Sequence, residues 1–267
     1  MAEKRIIADY HLHTKRCKHA EDEMDKYVEA ALAKGMKKIA FTDHIPLPNG
    51  FDSAHRMAED ELEDYVRDIE ILRDKYPDME ILCGIEADFY DGFELYLQHL
   101  FSDFSFDLIL MSVHFIKGWP KNNWAFSFHF PDRSLREVYS DYLQAVMRGI
   151  KTGLFDVVSH LDLIKVPGQS LLDQNPEEIQ EILSLCRRFN MTLELNTSGL
   201  RKEIAQTYPD LSFLPLIEKA GVPVCLGSDA HAPHQVGFKF EEVEKELRKY
   251  PSIIRKQFNQ NMFNSTN

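Results

Sequence analysis

The chain has 267 residues, with 31 Lys+Arg against 43 Asp+Glu and a formal net charge of −12. A hydrophobic share of 44% can build a substantial core and excludes intrinsic disorder. The acidic balance disfavours a general nucleic-acid binder, because a phosphate backbone needs a basic face; an anionic substrate stays open if bound cations reverse the local sign. The longest apolar run, residues 108–116, is interrupted by Ser112 and His114 and falls short of the ~20 residues of a membrane helix. No signal peptide is visible at Met1-Ala2-Glu3-Lys4-Arg5. Cys17, Cys83, Cys186 and Cys225 form no C-x-x-C pair, so four reduced thiols in the cytoplasm are expected.

Seven short apolar runs alternate with helical patterns. The first run, residues 6–8, precedes the stripe Met24, Tyr27, Val28, Ala31 and Leu32, which Gly35 closes. The second, 38–41, leads through a long connection over 46–57 to the stripe Leu62, Tyr65, Val66, Ile69 and Leu72. The third and fourth are 80–83 and 108–113. A second long connection, 115–133, holds Phe115, Trp119, Trp124, Phe126, Phe128 and Phe130, suited to an ordinary satellite cluster or to a wall over a flat substrate group. Leu135, Val138, Tyr139, Tyr142, Leu143, Val146 and Met147 then form a stripe before the fifth run, 156–158. Asn175-Pro176-Glu177-Glu178 reads as a cap, a first-position proline and two acids suited to the helix dipole, followed by Ile179, Ile182, Leu183 and Cys186. The sixth run, 192–195, precedes a short helix with Phe213, Leu214 and Ile217, closed by Gly221, and 223–226 is the seventh. Such alternation predicts a mostly parallel sheet, open or closed as a barrel, in one domain over residues 1–267. No Gly-rich phosphate loop follows any strand, which counts against a nucleotide-binding open sheet.

The end of each run is polar. In order they read Asp9-Tyr10-His11-Leu12-His13, Thr42-Asp43-His44, Gly84-Ile85-Glu86-Ala87-Asp88, Ser112-Val113-His114-Phe115, Ser159-His160-Leu161-Asp162, Glu194-Leu195-Asn196-Thr197-Ser198 and Gly227-Ser228-Asp229-Ala230-His231. In a parallel barrel these ends share one face, where active sites are built. That gathers His11, His13, His44, Glu86, His114, His160, Asp229 and His231. Imidazole and carboxylate suit Zn, Fe or Mn. His11 and His13, two apart on a strand, face one side and can grip one ion together. Eight donors exceed the needs of one ion, so two or three are expected, activating a shared water and stabilising the charge on the attacked group. Packing alone does not explain such a set, since unpaired buried polar groups cost ~1–3 kcal/mol each.

Taken together, these motifs resemble the PHP (polymerase and histidinol phosphatase) superfamily, from Asp9 to His231 and in the right order. Cys17-Lys18-His19, Glu194-Leu195-Asn196-Thr197-Ser198-Gly199 and residues 112–119 are most similar to stand-alone histidinol-phosphate phosphatases. The resemblance implies a distorted seven-stranded (β/α)7 barrel, a trinuclear metal centre and hydrolysis of a phosphomonoester, L-histidinol phosphate, by a hydroxide shared between metals. Carried over, His11, His13, Glu86 and Asp229 hold the first metal. Glu86 bridges to a second with His114 and His160, and His19, His44 and His231 hold the third. Glu86, Asp229 and His231 are the catalytic candidates. The resemblance also implies phosphate binding by the basic residues Lys165 and Arg201, with Ser198 as a hydroxyl donor and Arg56 a weaker candidate. Asp9 is expected to orient a ligand imidazole, or to be a plain polar core residue. The rival readings are a related phosphoesterase for another ester or nucleotide, a metal-dependent amidohydrolase, and a catalytically silent metal-binding module.

Overall fold

The structure is a computed structural model that describes residues 8–119, 124, 125, 130 and 132–261. Seven strands lie in chain order: β1 (Ala8–Leu12), β2 (Lys38–Phe41), β3 (Glu80–Asp88), β4 (Leu108–Ser112), β5 (Val157–Val158), β6 (Thr192–Asn196) and β7 (Val224–Gly227). Each pairs with the next in parallel. The seam between β1 and β7 is drawn shut at one end, where His13 N–H donates to Ala230 O (2.9 Å) and Ala230 N–H to His11 O (3.2 Å). The result is a nearly closed, distorted seven-stranded barrel, as expected.

The helices are α1 (Met24–Ala33), α2 (Leu62–Lys75), α3 (Glu94–Asp103), α4 (Leu135–Thr152), the four-residue α5 (Leu171–Gln174), α6 (Pro176–Arg188), α7 (Leu214–Ala220) and α8 (Phe240–Leu247). Their stripes seal the outside of the barrel. Tyr27, Val28 and Ala31 of α1, Tyr65, Ile69 and Leu72 of α2, and Val138, Tyr142 and Val146 of α4 join one continuous core with Ile39, Ile81, Ile85 and Leu193 of the strands. A separate small cluster of Ala8, Tyr10, Ala40, Leu82, Leu108, Leu110, Val157 and Cys225 lies at the other strand positions. Alternation along a strand puts Leu82 and Glu86, or Leu110 and Ser112, on one face. The inner face therefore has an apolar floor and a polar upper end. The tail covers the floor: Val224 bridges to Arg255, and Phe258 packs edge-on to Tyr10 at 5.3 Å.

Two local expectations need correction. Strands β1 and β3 run four or five residues beyond the apolar runs 6–8 and 80–83, so His11 and Glu86 stand within strands rather than after them. Backbone pairing continues as long as neighbours offer partners, whatever the side chains. Asn175 precedes α6 but makes no side-chain cap; its amide binds Arg136 O and Glu178. Residues 6 and 7, Phe126 and Phe128 lie outside the described residues. All four cysteines are free and buried, and among the described residues no helix is long and apolar enough to cross a membrane.

Candidate metal centre

Glu86 is the hub. Its Oε2 lies 3.0 Å from His44 Nδ1, 3.3 Å from His11 Nε2 and 3.4 Å from His13 Nε2. Its Oε1 lies 3.0 Å from His160 Nε2 and 3.6 Å from His114 Nε2. Asp229 Oδ1 approaches His13 Nε2 (3.2 Å), His231 Nδ1 (3.5 Å) and His11 Nε2 (3.9 Å). His11 and His13 turn their Nε2 atoms to within 3.1 Å of each other, as their two-residue spacing predicts. His13 stacks on His231 with centroids 4.0 Å apart, and His231 on His19 at 4.6 Å. The strand-end turns that present His160 and Asp229 hold both at positive φ, 24° and 52°, an uncommon conformation outside glycine that collects at functional sites.

Behind the donors stands a ring of carboxylates that the sequence reading quoted but gave no role. Glu194 Oε1 sits 2.6 Å from His11 Nδ1, and its Oε2 accepts from Ser159 Oγ (2.6 Å), His160 N (2.9 Å) and Asn196 Nδ2 (3.1 Å). Asp43 faces His13 Nδ1 at 3.4 Å, and Asp88 faces His114 Nδ1 at 2.9 Å. His19 Nδ1 donates to Cys17 O at 2.6 Å. Each contact fixes the tautomer that turns Nε2 toward the centre. Glu194 reaches His11 because residue 227 has no side chain: a Cβ there would lie 1.9 Å from Glu194 Oε1. Strand alternation was the missed signal, since Asp88 follows Glu86, and Asn196 follows Glu194, by two.

Of the two roles expected of Asp9, the structure shows that of a buried polar core residue. It accepts backbone N–H bonds from Gly237 (2.8 Å), Ser228 (2.9 Å) and His11 (3.3 Å), and so ties β1 to the turn after β7 instead of orienting an imidazole. Burial raises its carboxyl pKa even against these bonds.

A cavity of about 350 Å³ opens over the donors. Ser198, Arg201 and Lys202 line one side; Asp52, His55, Arg56, Phe115 and Trp124 line another. Arg201 donates to Ser228 O and Asp229 O, both at 2.9 Å, leaving the rest of its fork for the cavity. Ser198 Oγ is buried without a protein partner. Lys165, expected to bind phosphate, is not in the wall. Its Nζ is held by Thr207 O (2.5 Å) and Asp162 (3.1 Å) and lies over the Tyr208 ring. Lys202, not singled out from sequence, takes the basic place at the wall. Arg56 pairs with Asp52 (2.9 Å) and Asp88 (3.0 Å), so its charge is already matched.

Against burial, neighbouring charges hold Glu86 and Asp229 ionised, and the imidazoles are pushed in opposite directions. Burial opposes the charge on Glu86, yet His44, His11 and His114 hold its carboxyl well below the usual range. Burial likewise opposes the Asp229 charge, and His11, His13 and His231 hold it low. Burial pushes the His44 imidazole down to about 4 and, with His13, holds His231 well below its ordinary value. Burial works to lower His11 and His13, but carboxylates on both sides hold them well above it. His44 Nδ1, Glu86 Oε2 and His231 Nε2 are buried without any hydrogen bond, although His44 Nδ1 and Glu86 Oε2 are only 3.0 Å apart. Close donor atoms lacking hydrogen-bond geometry are what divalent ions would satisfy. Among the described residues, several groups have donors mutually within 4.8 Å, and they include His11, His13 and Asp229; His13, His44 and Glu86; and His19, His44 and His231. Cys17 joins a further group with His13 and His231, and Asp88 one with His44 and His114, neither of them in the sequence-based set.

A barrel of this order, with a histidine–carboxylate cluster at its carboxyl face, defines a class of metal-dependent phosphoesterases. The PHP domain model matches residues 9–198, and the chain belongs to this family. It is 35% identical over 243 residues to a Deinococcus radiodurans protein named probable histidinol-phosphatase, covering 91% of this chain and 93% of that one. It is 30% identical to the Bacillus subtilis histidinol-phosphatase, covering 87% and 96%. The fold superposes with a TM-score of 0.81 on the Lactococcus lactis histidinol phosphate phosphatase, crystallised with zinc, L-histidinol and phosphate. That match has 20% identity and covers 95% and 97% of the two chains.

Proposed function

We propose that the protein is a metal-dependent phosphomonoesterase that converts L-histidinol phosphate to L-histidinol and inorganic phosphate, a step of histidine synthesis. The observation that carries this reading is Glu86, whose two oxygens each face histidines from different strands, beneath a wall of Ser198, Arg201 and Lys202. The names of the two curated relatives support the substrate. His11, His13, Glu86 and Asp229 would hold one ion, Glu86, His114 and His160 a second, and His19, His44 and His231 a third, with Zn, Fe or Mn all compatible. Bound there, such ions lower the pKa of water and offset the negative charge of the phosphoryl group.

The side chains supply the remainder. Arg201 offers the phosphoryl group its charge and the N–H groups not spent on Ser228 O and Asp229 O, Lys202 a point charge and Ser198 Oγ a neutral donor. Asp229 and His231, 3.5 Å apart, both line the cavity beside the other donors and are the catalytic candidates there. Phe115 and Trp124, tilted at 54° with centroids 4.8 Å apart, would screen the organic end. The acidic chain favours a small ester over nucleic acid, and four free thiols suit a cytoplasmic setting, with residues 1–267 acting as one domain.

Phosphate release from a panel of phosphomonoesters tests this, after reconstitution with each ion. Preference for L-histidinol phosphate is expected. Preference for nucleotides overturns the substrate, and full metal content without hydrolysis of any ester favours the silent module.

A further inference from the structure

The cavity wall away from Arg201 and Lys202 already holds an imidazole. His55 Nδ1 lies 2.7 Å from Asp52 Oδ1. Its ring stands at 90° to that of Trp124 with centroids 5.3 Å apart, and the His19 ring lies 5.8 Å away. The side chain is still 47% exposed, whereas Asp52 is 9% exposed. The imidazole is thus loosely held and its acceptor firmly held. Asp52 is fixed from behind: Arg56, 3% exposed, binds Asp52 Oδ2 at 2.9 Å and Asp88 Oδ2 at 3.0 Å, and Asp88 faces His114. Phe115 lies under the same guanidinium at 5.7 Å.

Resting on the phosphatase reading above, we propose that the slot between Asp52 and Trp124 is the imidazole subsite, and that His55 is its resident placeholder. The substrate ring N–H replaces the His55 N–H on Asp52 Oδ1, and His55 swings into solvent. The exchange is nearly even in hydrogen bonds, since one imidazole N–H on the carboxylate replaces another. Selectivity arises because an ester without a ring leaves the slot to His55 and makes no bond to Asp52. Through Arg56, Asp88 and His114, the subsite is also in contact with the metal centre.

The test compares L-histidinol phosphate with O-phosphoethanolamine, which keeps the ammonium and phosphate but lacks the ring, on the metal-loaded enzyme. In a His55→Ala background, where no imidazole of the protein competes for Asp52, Asp52→Asn should lower the ratio of their kcat/KM values ten- to a hundredfold, the size of a charge-assisted hydrogen bond, and weaken calorimetric binding of L-histidinol by a similar factor. A merely structural role for Asp52, acting through Arg56, would lower both substrates equally; an unchanged ratio therefore overturns the subsite. His55→Ala should lower KM for L-histidinol phosphate, and a raised KM overturns the placeholder. Should Asp52→Asn fail to fold, His55→Ala carries the test, with tighter L-histidinol binding expected and weaker binding refuting. A wild type without preference between the esters overturns the functional reading and this inference together, whereas a selective wild type with an unchanged Asp52→Asn ratio overturns the inference alone.

Discussion

Glu194→Gln changes one atom behind the centre and should disable His11 as a ligand. Glu194 presents Oε1 to His11 Nδ1 and Oε2 to three donors, Ser159 Oγ, His160 N and Asn196 Nδ2. A glutamine must turn its NH2 to one side. Facing the three donors, it would meet the His160 backbone N–H, which cannot reverse its role. Facing His11, it forces Nδ1 to accept, and the ring proton moves to Nε2, the atom that points at His13 and Glu86. The second arrangement is the lesser conflict, and it blocks the ligand atom. Loss of such an orienting carboxylate typically costs 10- to 100-fold in metal affinity or activity, or ~1.4–2.8 kcal/mol. Burial opposes the Glu194 charge, but His11, His160 and Ser159 hold its carboxyl below the ordinary value, so the native protein keeps the anion this argument requires. The assay is a chelator-competition titration of the metal-free protein, followed by elemental analysis. Wild-type metal affinity in Glu194→Gln, with the fold intact by circular dichroism, would refute the reasoning.

Glu86→Gln should lose at least one metal equivalent together with most turnover, and unchanged stoichiometry by elemental analysis would show the ligand assignment to be wrong. Arg201→Ala should raise KM about tenfold or more, from the loss of a charge-assisted phosphate contact, while metal content by the same analysis changes little. Lys165→Met should act on stability instead of KM, because it strands Asp162 in the interior; breaking a buried pair costs about 3–5 kcal/mol in urea melts. Burial raises the Asp162 carboxyl pKa even with Lys165 beside it. A carboxyl raised on folding favours the native state when protonated, so the Lys165→Met deficit should shrink as pH falls below neutrality and Asp162 takes up a proton.

The fold was legible because the barrel repeats one pattern: an apolar run, a polar end and an amphipathic stripe. Even β5, only two residues long, announces itself through Ser159-His160. The ligand candidates were legible for the same reason, since histidine and glutamate at strand ends have few other uses. The supporting layer was less so. Asp43, Asp88 and Glu194 stand in the quoted motifs, but which imidazole each one faces depends on neighbouring strands, and a single strand does not carry that information. Lys165 misled because a lysine after a strand end looks free, although the three-residue spacing from Asp162 was a signal of the pair. Asp9 was left between two roles because it shares a strand with His11, and the two donors that decide it, Ser228 and Gly237 N–H, come from the segment after β7, which no local pattern reveals.

Gly227 gives the barrel an unusual economy of space. The volume that its side chain would fill is taken by the carboxylate of Glu194 from the adjoining strand, so two positions share one side-chain site. Alanine at 227 would meet a carboxylate oxygen at 1.9 Å and the His11 Cβ at 2.8 Å, and neither can retreat without unseating the imidazole. A methyl group placed there would thus register as an enzymatic lesion, although the altered residue touches neither ion nor ester. The absence of a side chain at this point is as much a working part of the centre as any histidine around it.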